Sequence, residues 1–493
     1  MGDLPGDRAQ EPPRPRLGRP AADLVRGVPD GRRHRRRLHS GRDDRGGRGG
    51  HSGLGDLPGG GVLRVLVIGN GGREHALCWI IRERSPETEL YCAPGSPGTE
   101  ECGESVALDV TDVDGLARFA AERGIDLTVV GPEVPLSLGV VDAFRERGLA
   151  IFGPTRAAAR LESSKVFAKE FMRRHGVPTC DFEVTGDRET ARRAAQRFGL
   201  PAVLKADGLA AGKGVLIVST PAELEAALDG FFVERRFGDA GGRILIEPFV
   251  PGEEVSFIGF CDGRRVLPLA TSKDYKRIGD GDSGPNTGGM GAHSPAGIVS
   301  DGEVSRIMRD VMERTVAGMA ADGTPFSGVL YAGLMMSPDG PQVLEFNVRL
   351  GDPEAQALLL RLDEDPVDLF LAGAGGDFGR SELAFRAGAS ACLVLANQGY
   401  PGKAASGDPI EGIEDARARE GVVVFHAGTG RNGGAVIATG GRVLNVCAVG
   451  DDLGQALDRA YGAAARIHWP SKAMRSDIGR RVLDGGAGTG PPR

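Results

Sequence analysis

No uninterrupted apolar run of about 18 residues, the length a membrane-spanning helix needs, occurs in this chain of 493 residues. No transmembrane helix is therefore expected. No CxxC pair occurs either: Cys78, Cys92, Cys102, Cys180, Cys261, Cys392 and Cys447 are scattered and odd in number. Zinc sites and disulfide frameworks need regular spacing or even sets, so these read as buried thiols of a cytoplasmic protein. There is no excess of positive charge. The net charge is −7, which gives no reason to expect nucleic acid or an anionic membrane as partner. No internal repeat is visible. With 40% hydrophobic and 26% charged residues, the composition is that of a soluble globular chain, with room for two to four domains at about 150 residues each.

The first 61 residues are a different material. They hold thirteen Arg against eight acids, no Lys, many Gly and Pro, and almost no aromatic residue. The cluster GRRHRRRLHSGR lacks the apolar stretch that an export signal requires. Residues 1–61 are expected to be a disordered extension, or upstream sequence translated from a misassigned start, with order beginning near Val62.

From Val62 the text alternates. VLRVLVIGNGGREHAL reads as buried strand, Gly turn and helix, and LYCAP, DVDGLARFAAERG, DLTVVGP, VVDAFRERG and AIFGP continue the pattern. Continuous apolar strands between helices predict a parallel, doubly wound sheet. A helix over SSKVFAKEFMRRHG should stop at Gly176, with Pro178 beyond. PAVLKADGLAAGKGVLIV, PAELEAALDGFF, RILIEPFV and VSFIGF together predict a small α+β unit. A long Gly-rich stretch, TSKDYKRIGDGDSGPNTGGMGAHSP, follows; at that length it should be functional or disordered. Strands GVLYAGLMM and QVLEFNVRL come next, and from about residue 387 a compact α+β domain.

Two nucleotide motifs are present only in broken form. A P-loop needs four residues between its glycines and a hydroxyl after its Lys. Gly208 and Gly212 bracket three residues, and Lys213 is followed by Gly214. A dinucleotide fingerprint needs a third Gly where Glu74 stands. GNGGREH, from Gly69 to His75, still opens a helix with free N–H groups, and Arg73 adds a forked donor. An anion site and a plain tight turn both fit it. Lys205 ends an apolar strand and must find a partner, since an unpaired buried ammonium costs several kcal/mol. Lys165 and Lys169 lie one helical turn apart, and Glu247 and Pro248 end another apolar strand. In VLEFNVRLGDPE a period of two puts Leu344, Phe346, Val348 and Leu350 on one face, and Glu345, Asn347 and Arg349 on the other. A carboxylate and an amide oxygen two residues apart suit a hard cation such as magnesium. An amphipathic surface strand would show the same alternation.

Taken in order, GNGGREHAL, VGPEVPL, IFGPT, LESSKVFAKEFM, KADGLAAGKGV, EPFVPGEEVSF, DYKRIGDGDSGPNTGGMGAHSP, YAGLMM, EFNVRLGDPE and VFHAGT closely resemble the phosphoribosylamine–glycine ligase (glycinamide ribonucleotide synthetase) family of ATP-grasp enzymes. The resemblance covers about residues 63 to 480. It departs at Tyr275, where the family commonly has His, and at Val348 and Leu350, where Cys and Phe are usual. The resemblance implies an α/β and α+β multidomain chain. A parallel, doubly wound pre-ATP-grasp domain would span 62–162, an ATP-grasp domain 163–386 with a lid subdomain about 183–252, a C-terminal α+β domain 387–482, and a flexible tail 483–493. It implies ATP contacts from Lys165, Lys205, Gly208, Gly212, Lys213, Gly214, Glu247, Val250 and Glu254, with Mg2+ or Mn2+ on Glu345 and Asn347. Arg349 and Asp274 would position the reacting groups. Gly69, Asn70, Gly71, Gly72, Arg73 and Glu74 would hold the 5-phosphate of phosphoribosylamine, with Lys276 nearby on substrate. Glycine would be activated as glycyl phosphate and captured by the amine, in a monomer whose partners are small molecules only. An NAD-dependent oxidoreductase would leave the Lys, Glu and Asn set idle. A non-catalytic ATP-binding regulator would lack the metal pair. A sibling ATP-grasp ligase with another acid or amine remains the alternative.

Overall fold

The computed structural model describes residues 62–209 and 214–485. The Arg-rich head, Gly212, Lys213 and the last eight residues lie outside the described residues, and with them the expectations that fall there.

In the N-terminal segment every strand pairing is parallel. The sheet runs Glu104–Ser105, Glu89–Pro94, Arg64–Gly69, Leu127–Val130, Ile151–Phe152. Val65, Leu66, Val67 and Ile68 are all fully buried, because both faces of this central strand are covered. The strand order reverses beside Arg64–Gly69, so a crevice opens at the carboxyl ends of Arg64–Gly69 and Leu127–Val130. In open α/β sheets that is where ligands bind. Helix ends follow their local chemistry. Asp112, Ser164 and Thr220 accept from backbone N–H groups of the first turn, and Gly124 and Gly176 close helices at φ of 63° and 65°.

Two antiparallel sheets follow. One contains Glu183–Thr185, Ile244–Pro248, Ala202–Ala206 and Val215–Val218, and carries the helices Arg188–Phe198 and Pro221–Phe232. The other runs Val266–Pro268, Glu253–Asp262, Ser327–Ser337, Gly340–Asn347. Apolar cores join this second sheet to the N-terminal one on both faces, one with Leu66, Phe144, Phe171, Phe257, Leu330, Val343 and Phe346, the other with Val65, Val67, Ile258, Phe260 and Val329.

The long Gly-rich stretch is neither loop nor linker. Lys273–Asp274 pairs with Gly291–Ser294, which pairs in turn with Ala389–Asn397, so this segment forms the edge of the C-terminal sheet. Tyr275 packs in the C-terminal core, its hydroxyl accepting from Gly479 N at 3.0 Å. The departure from the family pattern at that position thus lies in packing. Val348 and Leu350 are buried too, 2% and 3% exposed. All seven cysteines are free thiols, six of them buried. Among the described residues no helix is long and apolar enough to cross a membrane.

Candidate active site

A cavity of about 690 Å3 lies between the two antiparallel sheets and is closed off by residues of the N-terminal and C-terminal segments. Arg73, Lys165, Lys205, Gly214, Glu247, Val250, Glu254, Asp274, Lys276, Glu345, Asn347 and Arg349 all line it. Residues spread over nearly 280 positions of sequence therefore meet at one place.

At one end the strand register sets the charges. Val203 pairs with Glu247 and Lys205 with Leu245, so Lys205 and Glu247 are diagonal neighbours on one face. Their ion pair is 2.8 Å long, and Lys205 Nζ also donates to Leu344 O at 2.9 Å. The partner that the buried Lys205 requires is thus Glu247. Lys169 Nζ lies 2.6 Å from the other carboxylate oxygen of Glu247. Burial pushes the Glu247 carboxyl up, but Lys205 and then Lys169 outweigh it and hold it below its ordinary range. Lys165 heads its helix, and its Nζ is 3.5 Å from Gly208 O. Asp207 ties the lid loop to that helix by accepting from Ser164 Oγ at 2.8 Å and Val166 N at 3.2 Å. Gly208 adopts φ of +146° beside Ala240 and does not itself line the cavity; Leu209 does. Glu254 pairs with Lys276 at 3.0 Å.

The strand Gly340–Asn347 departs from the alternation that the sequence suggests. A β-bulge places Gly333 opposite Glu345 but Leu334 opposite Val343, leaving Leu344 unpaired. Val343, not Leu344, fills the core beside Phe346, and Leu344 turns to the cavity. An extra residue shifts the phase of a strand by one, which period counting cannot show. Glu345 and Asn347 keep their expected face. Burial raises the Glu345 carboxyl, yet Lys276, Lys165, Lys205 and Arg349 more than offset this and keep it ionised. An ionised carboxylate and an amide oxygen are the donor types a hard divalent cation takes, so this pair fits magnesium or manganese. Among the described residues no group of three His, Cys, Asp or Glu side chains could hold a metal. The remaining ligands would therefore come from phosphate and water.

Arg349 is held by carboxylates that the sequence reading did not single out. Its guanidinium meets Glu162 at 3.0 Å and Glu133 at 3.3 Å, and donates to Asn347 Oδ1 at 3.2 Å. Glu162 also accepts from Val348 N at 2.8 Å. On the opposite wall, Tyr331 and Ser256 donate to Glu354 Oε1 at 2.6 and 3.0 Å. Asp274 Oδ1 is buried without a hydrogen-bond partner. Burial and then Glu354 raise its carboxyl well above the ordinary range. Arg442, from the C-terminal segment, donates to Asp352 Oδ2 at 3.1 Å. Glu162, Asp352 and Glu354 lie inside LESSKVFAKEFM and EFNVRLGDPE, and their place in those motifs is the signal that could have found them. Arg442 carries no such local signal.

The glycine turn closes on its own side chains. Glu74 Oε2 accepts from Gly71 N at 2.6 Å, and its other oxygen accepts from Arg73 Nε at 2.7 Å. The turn's own carboxylate thus takes the Gly71 N–H and one donor of Arg73. Added Cβ atoms at Gly69 and Gly131 would lie 2.3 and 2.1 Å from Glu74 atoms, and one at Gly72 would lie 2.1 Å from Asn445 Oδ1. These glycines admit close packing. Of Gly69, Asn70, Gly71, Gly72, Arg73 and Glu74, only Arg73 lines the cavity, and Arg73 also donates to Leu350 O at 2.9 Å.

A parallel N-terminal sheet leading into two antiparallel sheets that clasp a cavity of cations, acids and an oxygen pair defines an ATP-grasp ligase. Within that class the family is specific. Family models for the N, ATP-grasp (A) and C domains of phosphoribosylglycinamide synthetase match residues 63–162, 163–355 and 390–481, and the chain belongs to that family. It is 48% identical over 421 residues to the phosphoribosylamine–glycine ligase of Mesorhizobium japonicum, covering 85% of this chain and 99% of the relative. It is 50% identical over 425 residues to that of Xanthomonas axonopodis pv. citri, covering 85% and 98%. The crystal structure of the Thermotoga maritima phosphoribosylamine–glycine ligase superposes with a TM-score of 0.73 at 32% identity, covering 84% of this chain and all of that one. The biotin carboxylase domain of Hydrogenobacter thermophilus 2-oxoglutarate carboxylase, solved with magnesium ADP and bicarbonate, shares the fold at a TM-score of 0.66 and 19% identity, covering 83% and 91%.

Proposed function

We propose that the cavity ligates glycine to 5-phosphoribosylamine at the expense of ATP, giving glycinamide ribonucleotide, ADP and phosphate by way of glycyl phosphate. The observation that carries this reading is the convergence of Lys165, Lys205, Glu345, Asn347, Arg349 and Asp274 on one cavity. An ammonium has three N–H donors. Lys205 spends two on Glu247 and Leu344 O and keeps one for a nucleotide phosphate, with Lys165 beside it. Val250 and the hinge after Glu247 would face adenine, and Glu254 the ribose. Magnesium or manganese on Glu345 and Asn347 would neutralise phosphate charge as glycine's carboxylate is phosphorylated. Arg349, fixed by Glu133 and Glu162, orients the acceptor carboxylate, and the lid sheet excludes water from the acyl phosphate. No covalent enzyme intermediate is needed. Cys180, the thiol lining the cavity, is kept protonated by burial and by Glu247.

The test is ADP release with glycine and phosphoribosylamine each omitted in turn. Release should require both. Turnover that persists without glycine, or that requires a different acid or amine, would assign the chain to a sibling reaction.

A further inference from the structure

Lys169 lines the same cavity, yet it has no donor to offer a ligand. Its Nζ donates to Thr179 Oγ1 at 2.5 Å and to Cys180 Sγ at 3.5 Å, and lies 2.6 Å from Glu247 Oε1. Its side chain is 2% exposed. Thr179 Oγ1 in turn donates a hydrogen bond to Val343 O at 2.7 Å, immediately before the bulge. Both oxygens of Glu247 thus face a cation, Oε1 in an ion pair with Lys169 of the helix Lys165–His175 that lacks hydrogen-bond geometry, and Oε2 in one with Lys205 of the neighbouring strand. Lys205 in turn reaches across to Leu344 O in the other sheet. The chain of contacts Thr179, Lys169, Glu247, Lys205, Leu344 spans both walls of the cavity and contains two cations and one anion.

We infer that Lys169 is a positioning residue for nucleotide binding: it holds Glu247 in the one orientation that keeps Lys205 aimed at the phosphates. The inference rests on the nucleotide half of the proposed function. Without Lys169, one oxygen of a buried carboxylate loses its counter-charge, and Glu247 must rotate to find another. Lys205 is its nearest alternative. A carboxylate that wraps around Lys205 with both oxygens draws the ammonium back from the cavity and competes with phosphate for its last donor. Lys169 therefore acts through Glu247 and touches no substrate itself.

The experiment measures binding of a non-hydrolysable ATP analogue by calorimetry, with steady-state KM values alongside. Lys169→Met, similar in length and uncharged, should weaken the analogue at least tenfold and raise KM for ATP, leaving KM for glycine unchanged. Combined with Glu247→Gln it should add no further loss, because both changes break the same link. Analogue affinity at the wild-type level in a folded Lys169→Met variant, or losses that multiply in the double variant, would overturn the inference. If Lys169→Met does not fold, Thr179→Val removes one anchor of Lys169 at nearly constant volume. It should raise KM for ATP severalfold while KM for glycine stays constant, and no change in KM for ATP would overturn the inference. Wild-type protein that binds the analogue but fails to turn over glycine and phosphoribosylamine would sink the ligase reading alone.

Discussion

Replacing Glu345 by Ala separates chemistry from stability at one strand. In the structure Glu345 stands where Lys276, Lys165, Lys205 and Arg349 converge, and they keep its carboxylate charged in spite of burial. The substitution takes away the one charged member of the metal pair and makes the cavity more cationic. Metal neutralisation of phosphoryl charge contributes several kcal/mol to a transition state. A loss of about 4 kcal/mol corresponds to a fall of about 10^3 in kcat, at roughly 1.4 kcal/mol per factor of ten. Nucleotide should still bind, because the cations around the phosphates remain. The fold should hardly notice. Glu345 lies on the cavity side of the bulge opposite Gly333, and the core beneath it is filled by Val343 and Phe346. Phe346→Ala, at a residue 2% exposed, is the contrasting change and should cost about 3–5 kcal/mol of stability. ADP release titrated with magnesium, beside thermal unfolding of both variants, reads the two effects. Glu345→Gln, whose amide oxygen can still coordinate weakly, should recover partly at high magnesium. If Glu345→Ala kept kcat within tenfold of wild type at ordinary magnesium, the metal assignment would be wrong and the strand merely amphipathic.

Three further outcomes are expected. Asp274 has its folded carboxyl raised by burial and by Glu354, so its contribution to stability is complete below the unfolded value of about 3.9 and is lost as pH rises through the folded one. Asp274→Asn should therefore gain Tm over wild type as pH rises above the unfolded value of about 3.9 while losing turnover, and a pH-independent Tm difference would refute this. Gly69→Ala forces a side chain into φ of +131° and onto Glu74, and should destabilise by about 1–3 kcal/mol; unchanged thermal unfolding would show that the turn relaxes freely. Glu162→Gln keeps an oxygen for Val348 N but drops the charge that aims Arg349. A misplacement of about 1 Å there costs about 10^2 in kcat, so turnover at the wild-type rate would release Arg349 from the reaction.

How much of this was legible beforehand depended on the range of the interaction. The parallel N-terminal sheet could be read because its strands are buried on both faces, and Val65 to Ile68 form an unbroken apolar run. Helix ends could be read because Ser164 and Gly176 act within one turn of where they stand. The cavity's cations and acids could be named because a charge next to an apolar strand is anomalous locally. Their pairing could not, since the strand register decides that Glu247 stands beside Lys205. The contacts of the turn after Gly69 were hidden for a related reason. Gly-rich spacing before a helix signals close approach of something to the backbone, and here the nearest such atoms are the protein's own carboxylate at Glu74 and amide at Asn445. The Gly-rich stretch over 271–295 was equally opaque, because its strand Gly291–Ser294 pairs with Ala389–Asn397, about a hundred residues downstream.

The bulge at Leu344 shows what that missing information is worth. A strictly alternating strand would send Val343 and Glu345 to the same face, so the phase that puts Glu345 in the cavity would expose Val343 as well. Leu344 would then fall on the core side. The unpaired residue removes the conflict: Val343 and Phe346 both reach the core, while Leu344, Glu345 and Asn347 face the cavity. It also frees a carbonyl. Leu344 O lies off the regular ladder and accepts from Lys205, so the residue that sets the phase of the strand carrying Glu345 and Asn347 also fixes the cation beside it. Deleting Leu344 should therefore do more than shorten a strand. It would leave Val343 and Glu345 adjacent and so still on opposite faces, keeping Glu345 and Asn347 in phase with the cavity, while removing the carbonyl that accepts from Lys205.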